Sequence, residues 1–285
     1  MPIQPVELPE ALKRLPPLPQ VLTKALELTR DERSRRSELV SVLALDEGMT
    51  GYFLRMVNSA YFGLPRRITS LDEALGYLGY EAVEEAIFAL SASKTLAAAV
   101  PSYLLEREML WEHSVAVAHG ADWLANRVQV LPRSEAYVAG LLHDVGKLGM
   151  DLILNREPAW DEAESEATSD MAWPDIERQI VGHDHAELSA MIVRSWNLPD
   201  RVVEAVALHH DPSRAVIDRR FVSVIHIADA AALMAGVGIG VDGLRYPISE
   251  DAAQVLGWDA AEIDVLMGEM QVAVERAKQI LRLRA

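Results

Sequence analysis

The sequence predicts an all-α protein of two packed helical subdomains, on three observations. Apolar residues recur at three- and four-residue intervals along nearly all of the 285 residues instead of alternating, although valine and isoleucine are plentiful. Cap and breaker residues punctuate that pattern at helix-like distances. No run reads as a strand, and no fixed-period repeat or low-complexity tract interrupts the chain. Half of the residues are apolar, enough for one large or two modest cores.

The elements follow in order. Residues 15–20, LPPLPQ, form a proline-stiffened entry, and a first helix is expected over 19–30. The basic residues between Arg30 and Arg36 are interleaved with Asp31 and Glu32, which reads as a solvated turn. Ser37 can cap a second helix over 38–45, and a third begins near Thr50 and runs to Asn58. Residues 58–70, NSAYFGLPRRITS, hold Gly63 and Pro65 and must be a structured connection. Ser70 can cap the helix that starts at Leu71, with Glu73 near its dipole. Gly79 should stop that helix, and another should run from Glu81 into the alanine-rich 90s.

Pro101 marks the expected boundary between subdomains 1–101 and 102–285. A long helix is expected over 102–127, carrying His113 and His119. Pro132 and Ser134 restart the chain into a helix ending at His143. The acidic residues 157–170 read as a short helix or an exposed loop. Asp184 and Glu187 have capping-box spacing, so a helix should begin at His185. Further helices are expected over 199–210, 221–235 and 259–283, with a glycine break at 236, 238, 240 and 243.

Composition narrows the function classes. With no cysteine, disulfides, thiolate metal sites and cysteine nucleophiles are excluded. The start carries no basic segment followed by an apolar one, and no 18-residue apolar span exists, so a cytoplasmic location away from membranes is expected. A net charge of −16 argues against binding duplex nucleic acid, where affinity rests on neutralising phosphates.

The chain is organised around residues 140–149, GLLHDVGKLG. By themselves these residues end a helix, with Gly146 as a left-handed cap and Lys147 near the negative end of the dipole. A histidine and an aspartate at a frayed helix end can also turn toward one divalent ion. Candidate ligands recur along the chain as His113, His143, Asp144, His185, His209, His210 and Asp229. Nitrogen and oxygen ligands without sulfur suit one or two ions of Mn, Fe, Zn or Mg. Such ions activate water for hydrolysis and clamp phosphates, where Lys147 could offset phosphoryl charge. Each residue also has an ordinary reading. His113 fits a core histidine, and His209-His210 fits a helix C-terminus. Asp229, inside an apolar helix, needs either a metal or a partner such as His226 one turn earlier. His119 and His183 are left outside the constellation.

The ligand order resembles the HD-domain metal-dependent phosphohydrolase superfamily, and in part its HD-GYP branch of cyclic-di-GMP phosphodiesterases. LPPLPQVLTKALEL, NSAYFG, AYVAGLLHDVGKLGM, HDHAELSAMIVRSWNLP and ALHHDP together resemble HDOD proteins more closely, over residues 8–235. The resemblance implies an all-helical unit whose second half is an HD-domain-like bundle. It also implies a bacterial, cytoplasmic role in signal transduction, with His113, His143, Asp144, His185, His209, His210 and Asp229 as metal ligands. After His209-His210 the chain reads DPSRAVID, without the DGxGYP of the hydrolases. Met109 stands where their three-metal members carry glutamate, and Ser189 replaces a usual glycine. The expectation is therefore a regulatory module acting on a protein partner in trans, as a homo-oligomer, or through a nucleotide second messenger. The alternative is a metal-dependent phosphohydrolase with Asp144 and Lys147 in catalysis. A domain that binds metal only for stability is a third reading.

Overall fold

The computed structural model describes residues 24–25, 28, 33–45, 47–59, 62–130, 133–154, 172–241, 243 and 248–282. They contain twelve α-helices and three 3-10 turns, with no strand and one isolated bridge, Val100 to Leu105. The chain divides into two compact units. The smaller is built from Leu18–Lys94 and Val274–Ala285, the larger from Thr95–Ala273.

The smaller unit holds α1 (Arg36–Leu43), α2 (Glu47–Val57) and α3 (Leu71–Leu96); Val57 of α2, Ile68 and Ala74 of α3 form a core cluster, and Leu39, Leu43 and Phe53 are buried as well. Burying a side chain such as Phe53 or Val57 contributes about 1.5–3 kcal/mol. The connection after α2 is held by Asn58. Its amide nitrogen donates to the Leu54 and Ile68 carbonyls (2.7 and 2.8 Å), and its oxygen accepts the Ile68 N–H at 2.7 Å. The loop thus gains backbone partners it would otherwise have to find in water. Ser70 caps α3 by accepting the Glu73 N–H at 3.2 Å, as expected. Gly79 (φ 76°, ψ 166°) breaks α3 in a region open essentially to glycine, and the helix resumes at once.

Two local expectations change here. Helix α1 begins at Arg36 rather than after Ser37, with the Glu38 carboxylate accepting the Arg35 N–H at 3.4 Å. Of the helix expected over 19–30, only Lys24, Ala25 and Leu28 are described, all helical. The rest of it, and the acidic residues 157–170, lie outside the described residues.

The larger unit holds α4 (Met109–Arg127), α5 (Arg133–Leu142), α6 (Gly146–Leu154), α7 (Trp173–Val181), α8 (His185–Ser195), α9 (Asp200–Leu208), α10 (Arg219–Met234) and α11 (Glu250–Leu256). Helix α12 (Ile263–Arg282) starts in this unit and ends in the other. Helix α4 packs on α5 and α10, α8 on α6 and α9, and α10 on α11. Gly140 lets α4 and α5 approach closely, since a Cβ there would lie 2.8 Å from the Val117 carbonyl and 2.9 Å from the Ala118 Cα.

The single helix expected over 102–127 is divided. Pro101–Tyr103 forms a 3-10 turn, Leu104 turns left-handed (φ 55°), and α4 starts only at Met109, after Glu108 at φ 72°. The Val100–Leu105 backbone pairing supplies the hydrogen bonds a continuous helix would have made. Helix α11, capped by Ser249, falls in a stretch the sequence left unassigned. Helix α8 begins at His185 with the Asp184 carboxylate accepting the Glu187 N–H at 2.7 Å, where the spacing placed it.

Candidate metal centre

Helix ends deliver most of the site. His143 and Asp144 lie in the turn between α5 and α6, His185 opens α8, and His209 and His210 close α9. His113 and Asp229 come from within α4 and α10. At these ends the backbone no longer fixes every side chain on one helical stripe, so neighbouring residues in sequence can face the same point. Gly146 is not a left-handed cap; it is the first residue of α6. Its lack of a side chain serves packing instead. A Cβ would stand 2.1 Å from the His185 carbonyl oxygen, and the Gly146 N–H donates to Ser189 Oγ at 2.7 Å. Ser189 thus ties α6 to α8.

Each of four imidazoles is anchored through Nδ1. His113 donates to the Val237 carbonyl (3.1 Å), His143 to Gly140 (2.7 Å), and His209 to Val206 (2.8 Å). His185 donates to the carboxylate of Glu177 at 2.8 Å. With Nδ1 protonated, Nε2 of each neutral ring is a lone pair, and the four Nε2 atoms converge. His113 Nε2 lies 3.1 Å from Asp229 Oδ1, and His143 Nε2 3.4 Å from Asp144 Oδ2. His185 Nε2 lies 3.4 Å from Asp144 Oδ1 and 2.8 Å from His210 Nε2.

Asp144 therefore faces two groups of ligands. One oxygen looks toward His113 and His143, the other toward His185 and His209, with His209 Nε2 at 3.8 Å. Three combinations could hold an ion: His185 with His209 and His210, His113 with His143 and Asp144, and His143 with His209 and Asp229. Their ligand atoms fall within 4.8 Å of one another. A divalent ion with ligands at about 2.1 Å needs separations of that size. His143 Nε2, Asp144 Oδ1 and His209 Nε2 are buried without a hydrogen-bond partner, a costly arrangement that a cation would relieve. The donor set fits a divalent metal.

Electrostatics reflect the crowding. Burial would lower His143, but the Asp144 and Asp229 carboxylates outweigh it and push its pKa up to about 10. Burial likewise opposes charge on His185, and Glu177 with Asp144 raises it to about 9. His209 is lowered to about 3, by burial first and the His143 cation second, and His210 is lowered well below its usual range. Burial works against charge on Asp144 and Asp229 too. Neighbouring His143 and Lys147 hold Asp144 well below the carboxylate range, and His113 and His143 do the same for Asp229. The Lys147 ammonium sits 2.7 Å from Asp144 Oδ2 and 5.5 Å from the centre of the Tyr103 ring.

Several placements were not foreseen. His226 does not partner Asp229. Its Nδ1 donates to the His209 carbonyl (2.7 Å) and its Nε2 accepts the Ser249 N–H (3.0 Å), so it supports the His209 backbone. The glycine break after α10 lies against α4, where a Cβ on Gly238 would stand 2.6 Å from His113 Cβ. Glu177 was missed altogether. Its signal was an acid one turn from Trp173 and Val181 on the apolar face of α7, where it is buried. Glu204, similarly placed on α9, accepts the N–H groups of Val216, Ile217 and Asp218 at 2.7–3.0 Å. His119 packs edge-on against Tyr137, and His183 pairs with Glu187 at 2.9 Å.

An all-helical chain with a buried histidine–aspartate cluster defines the class, and the sequence match gives the family. The chain belongs to the HDOD domain family, whose model matches residues 15–212. An uncharacterized protein of Treponema pallidum is 26% identical over 212 residues, covering 70% of this chain and 38% of that protein. Ribonuclease Y of Thermus thermophilus is 29% identical over 119 residues, 42% of this chain and 15% of the enzyme. The chain thus spans much less than half the length of either relative.

Solved structures share the fold. An HDOD domain protein of unknown function from Geobacter sulfurreducens aligns with a TM-score of 0.72 at 22% identity, covering 95% of this chain and 98% of that one. A chain from Shewanella amazonensis named "Putative phosphohydrolase" gives 0.72 at 23%, covering 96% and 97%. One from Marinobacter aquaeolei named "Putative signal transduction protein" gives 0.71 at 20%, covering 98% and 64%. Among the described residues, no helix is long and apolar enough to cross a membrane.

Proposed function

We propose that the chain is a regulatory HDOD module of the bacterial cytoplasm, with one or two divalent ions held by His113, His143, Asp144, His185, His209, His210 and Asp229. It acts through a protein partner in trans, a second copy of itself or a nucleotide-type signal. The observation that carries this reading is burial. His143, His185 and His209 are fully covered, and only His210, with 15% of its side chain exposed, offers the cluster to solvent. A centre enclosed in this way favours a built-in metal that sets the packing of five helices over an open surface for bulky substrates. The imidazole majority suits iron or zinc better than magnesium.

A second reading, a metal-dependent phosphohydrolase acting on a nucleotide or phosphodiester, is favoured by Asp144 and Lys147. A carboxylate facing two ligand groups suits a pair of ions, and such ions supply an activated water and a clamp for phosphate oxygens. The name of the Shewanella amazonensis neighbour points the same way.

One experiment separates the readings. Protein purified without chelator or histidine tag is assayed for metal and screened against phosphodiesters, beside an Asp144→Ala variant. One or two equivalents of metal, lost in the variant, with no turnover support the regulatory reading. Turnover that disappears in the variant establishes the hydrolase. Metal below a tenth of an equivalent, unchanged by the substitution, rejects both forms of the metal centre.

A further inference from the structure

The smaller unit carries a second feature that the metal centre does not use. A cavity of about 1160 Å³ opens beside the α2–α3 connection, and Arg55, Arg66, Arg67 and Arg276 line it. Among the described residues its lining holds no acidic one, in a chain whose net charge is −16. Glu73 stands just outside and pairs with Arg66. The remaining described wall mixes apolar Leu54, Leu64 and Ile68 with polar Asn58, Ser59, Thr69 and Gln279, and the Arg276 guanidinium lies 5.9 Å from the centre of the Phe62 ring.

The wall is preformed. Asn58, at the edge of the cavity, holds the loop bearing Arg66 and Arg67 through two hydrogen bonds to the Ile68 backbone, and a third to the Leu54 carbonyl anchors it to α2. Asn58 therefore holds the cavity wall in place, and the arginines supply its charge. Guanidinium groups bind phosphate oxygens through paired N–H donors, and positive groups in a concave wall concentrate the field on an anion. The volume is ample for a nucleotide-sized molecule, and Leu54, Leu64 and Ile68 can face a base.

We propose that this cavity binds a small ligand of nucleotide size bearing two or more phosphate groups. The site is made of residues distinct from the metal ligands, so its occupancy and the metal content are independent readouts. If the regulatory reading is correct, this ligand is a candidate for its signal.

ADP titrated calorimetrically into the full chain is the test, with Arg67→Ala, Arg276→Ala and His143→Ala measured alongside. Arg67 is exposed, so its removal leaves the core untouched. The proposal expects saturable ADP binding that weakens roughly tenfold in each arginine variant, the scale of one charged hydrogen bond, and is unchanged in His143→Ala. Absence of binding at millimolar ADP overturns it. So does binding that both arginine variants retain in full, or that only His143→Ala abolishes. Metal content unchanged in the arginine variants keeps a failure here distinct from a failure of the metal centre.

Discussion

Glu177 holds His185 at two points. Its carboxylate accepts the His185 backbone N–H at 2.8 Å and the ring Nδ1–H at 2.8 Å, and it also accepts the Tyr103 hydroxyl at 2.5 Å. The first residue of α8 is thereby fixed in position, tautomer and ring orientation at once.

Replacing Glu177 should therefore damage both stability and metal binding. Glu177→Ala removes the acceptor of two buried His185 donors and of the Tyr103 hydroxyl, a loss of about 3–5 kcal/mol. Metal affinity should fall about 10–100-fold, the usual scale for losing a partner of a ligating histidine. Urea unfolding of metal-free protein and metal titration measure the two separately. Unchanged metal affinity in a folded variant would show that His185 is not a ligand.

The Asp144–Lys147 pair is buried and only 2.7 Å apart, so its two members should be strongly coupled. Lys147→Met and Asp144→Asn should each destabilise the metal-free protein by about 1.5–3 kcal/mol, the scale of one charge-assisted hydrogen bond, because His143 and His185 still face residue 144. The double variant should cost clearly less than the two single losses together. Additive losses in that cycle would contradict the pairing.

Metal affinity should rise with pH. In the metal-free site His143 and His185, raised to about 10 and about 9, are both protonated at neutral pH. An ion that takes their Nε2 atoms must displace both protons. Apparent affinity should climb roughly a hundredfold per pH unit below about 9, where both compete. His209, lowered to about 3, adds no competition there. Calorimetry at pH 7 in buffers of differing ionisation enthalpy should report two protons released. Release of none would mean that these rings are not ligands.

Two glycines should respond differently to alanine. At Gly146 a Cβ meets the His185 carbonyl oxygen at 2.1 Å and the Ser189 nitrogen at 2.6 Å, both backbone atoms. Gly146→Ala must push α8 away from α6, costing about 3 kcal/mol and weakening metal retention. At Gly79 nothing lies within 4 Å, and only the backbone angle resists. Gly79→Ala should cost about 1–3 kcal/mol and leave metal content unchanged. Equal metal loss in both variants would remove the link between Gly146 and the site.

The sequence by itself determined the helical class, several caps and the identities of the candidate ligands. Asp184 and Ser70 were legible because capping is local, resting on a side chain and a backbone N–H three residues away. The division near Leu104 was not, because the left-handed turn is held by the non-helical pairing of Val100 with Leu105. The same distinction runs through the site. Histidine and aspartate announced themselves as polar residues in apolar company, yet Gly146, Gly238 and Glu177 take their roles from atoms far away in sequence or on another helix. Tertiary structure alone decided that His226 serves His209 rather than Asp229, and that Asp144 faces two groups of imidazoles. Those choices depend on how helix ends meet, and short-range spacing holds no information about that meeting.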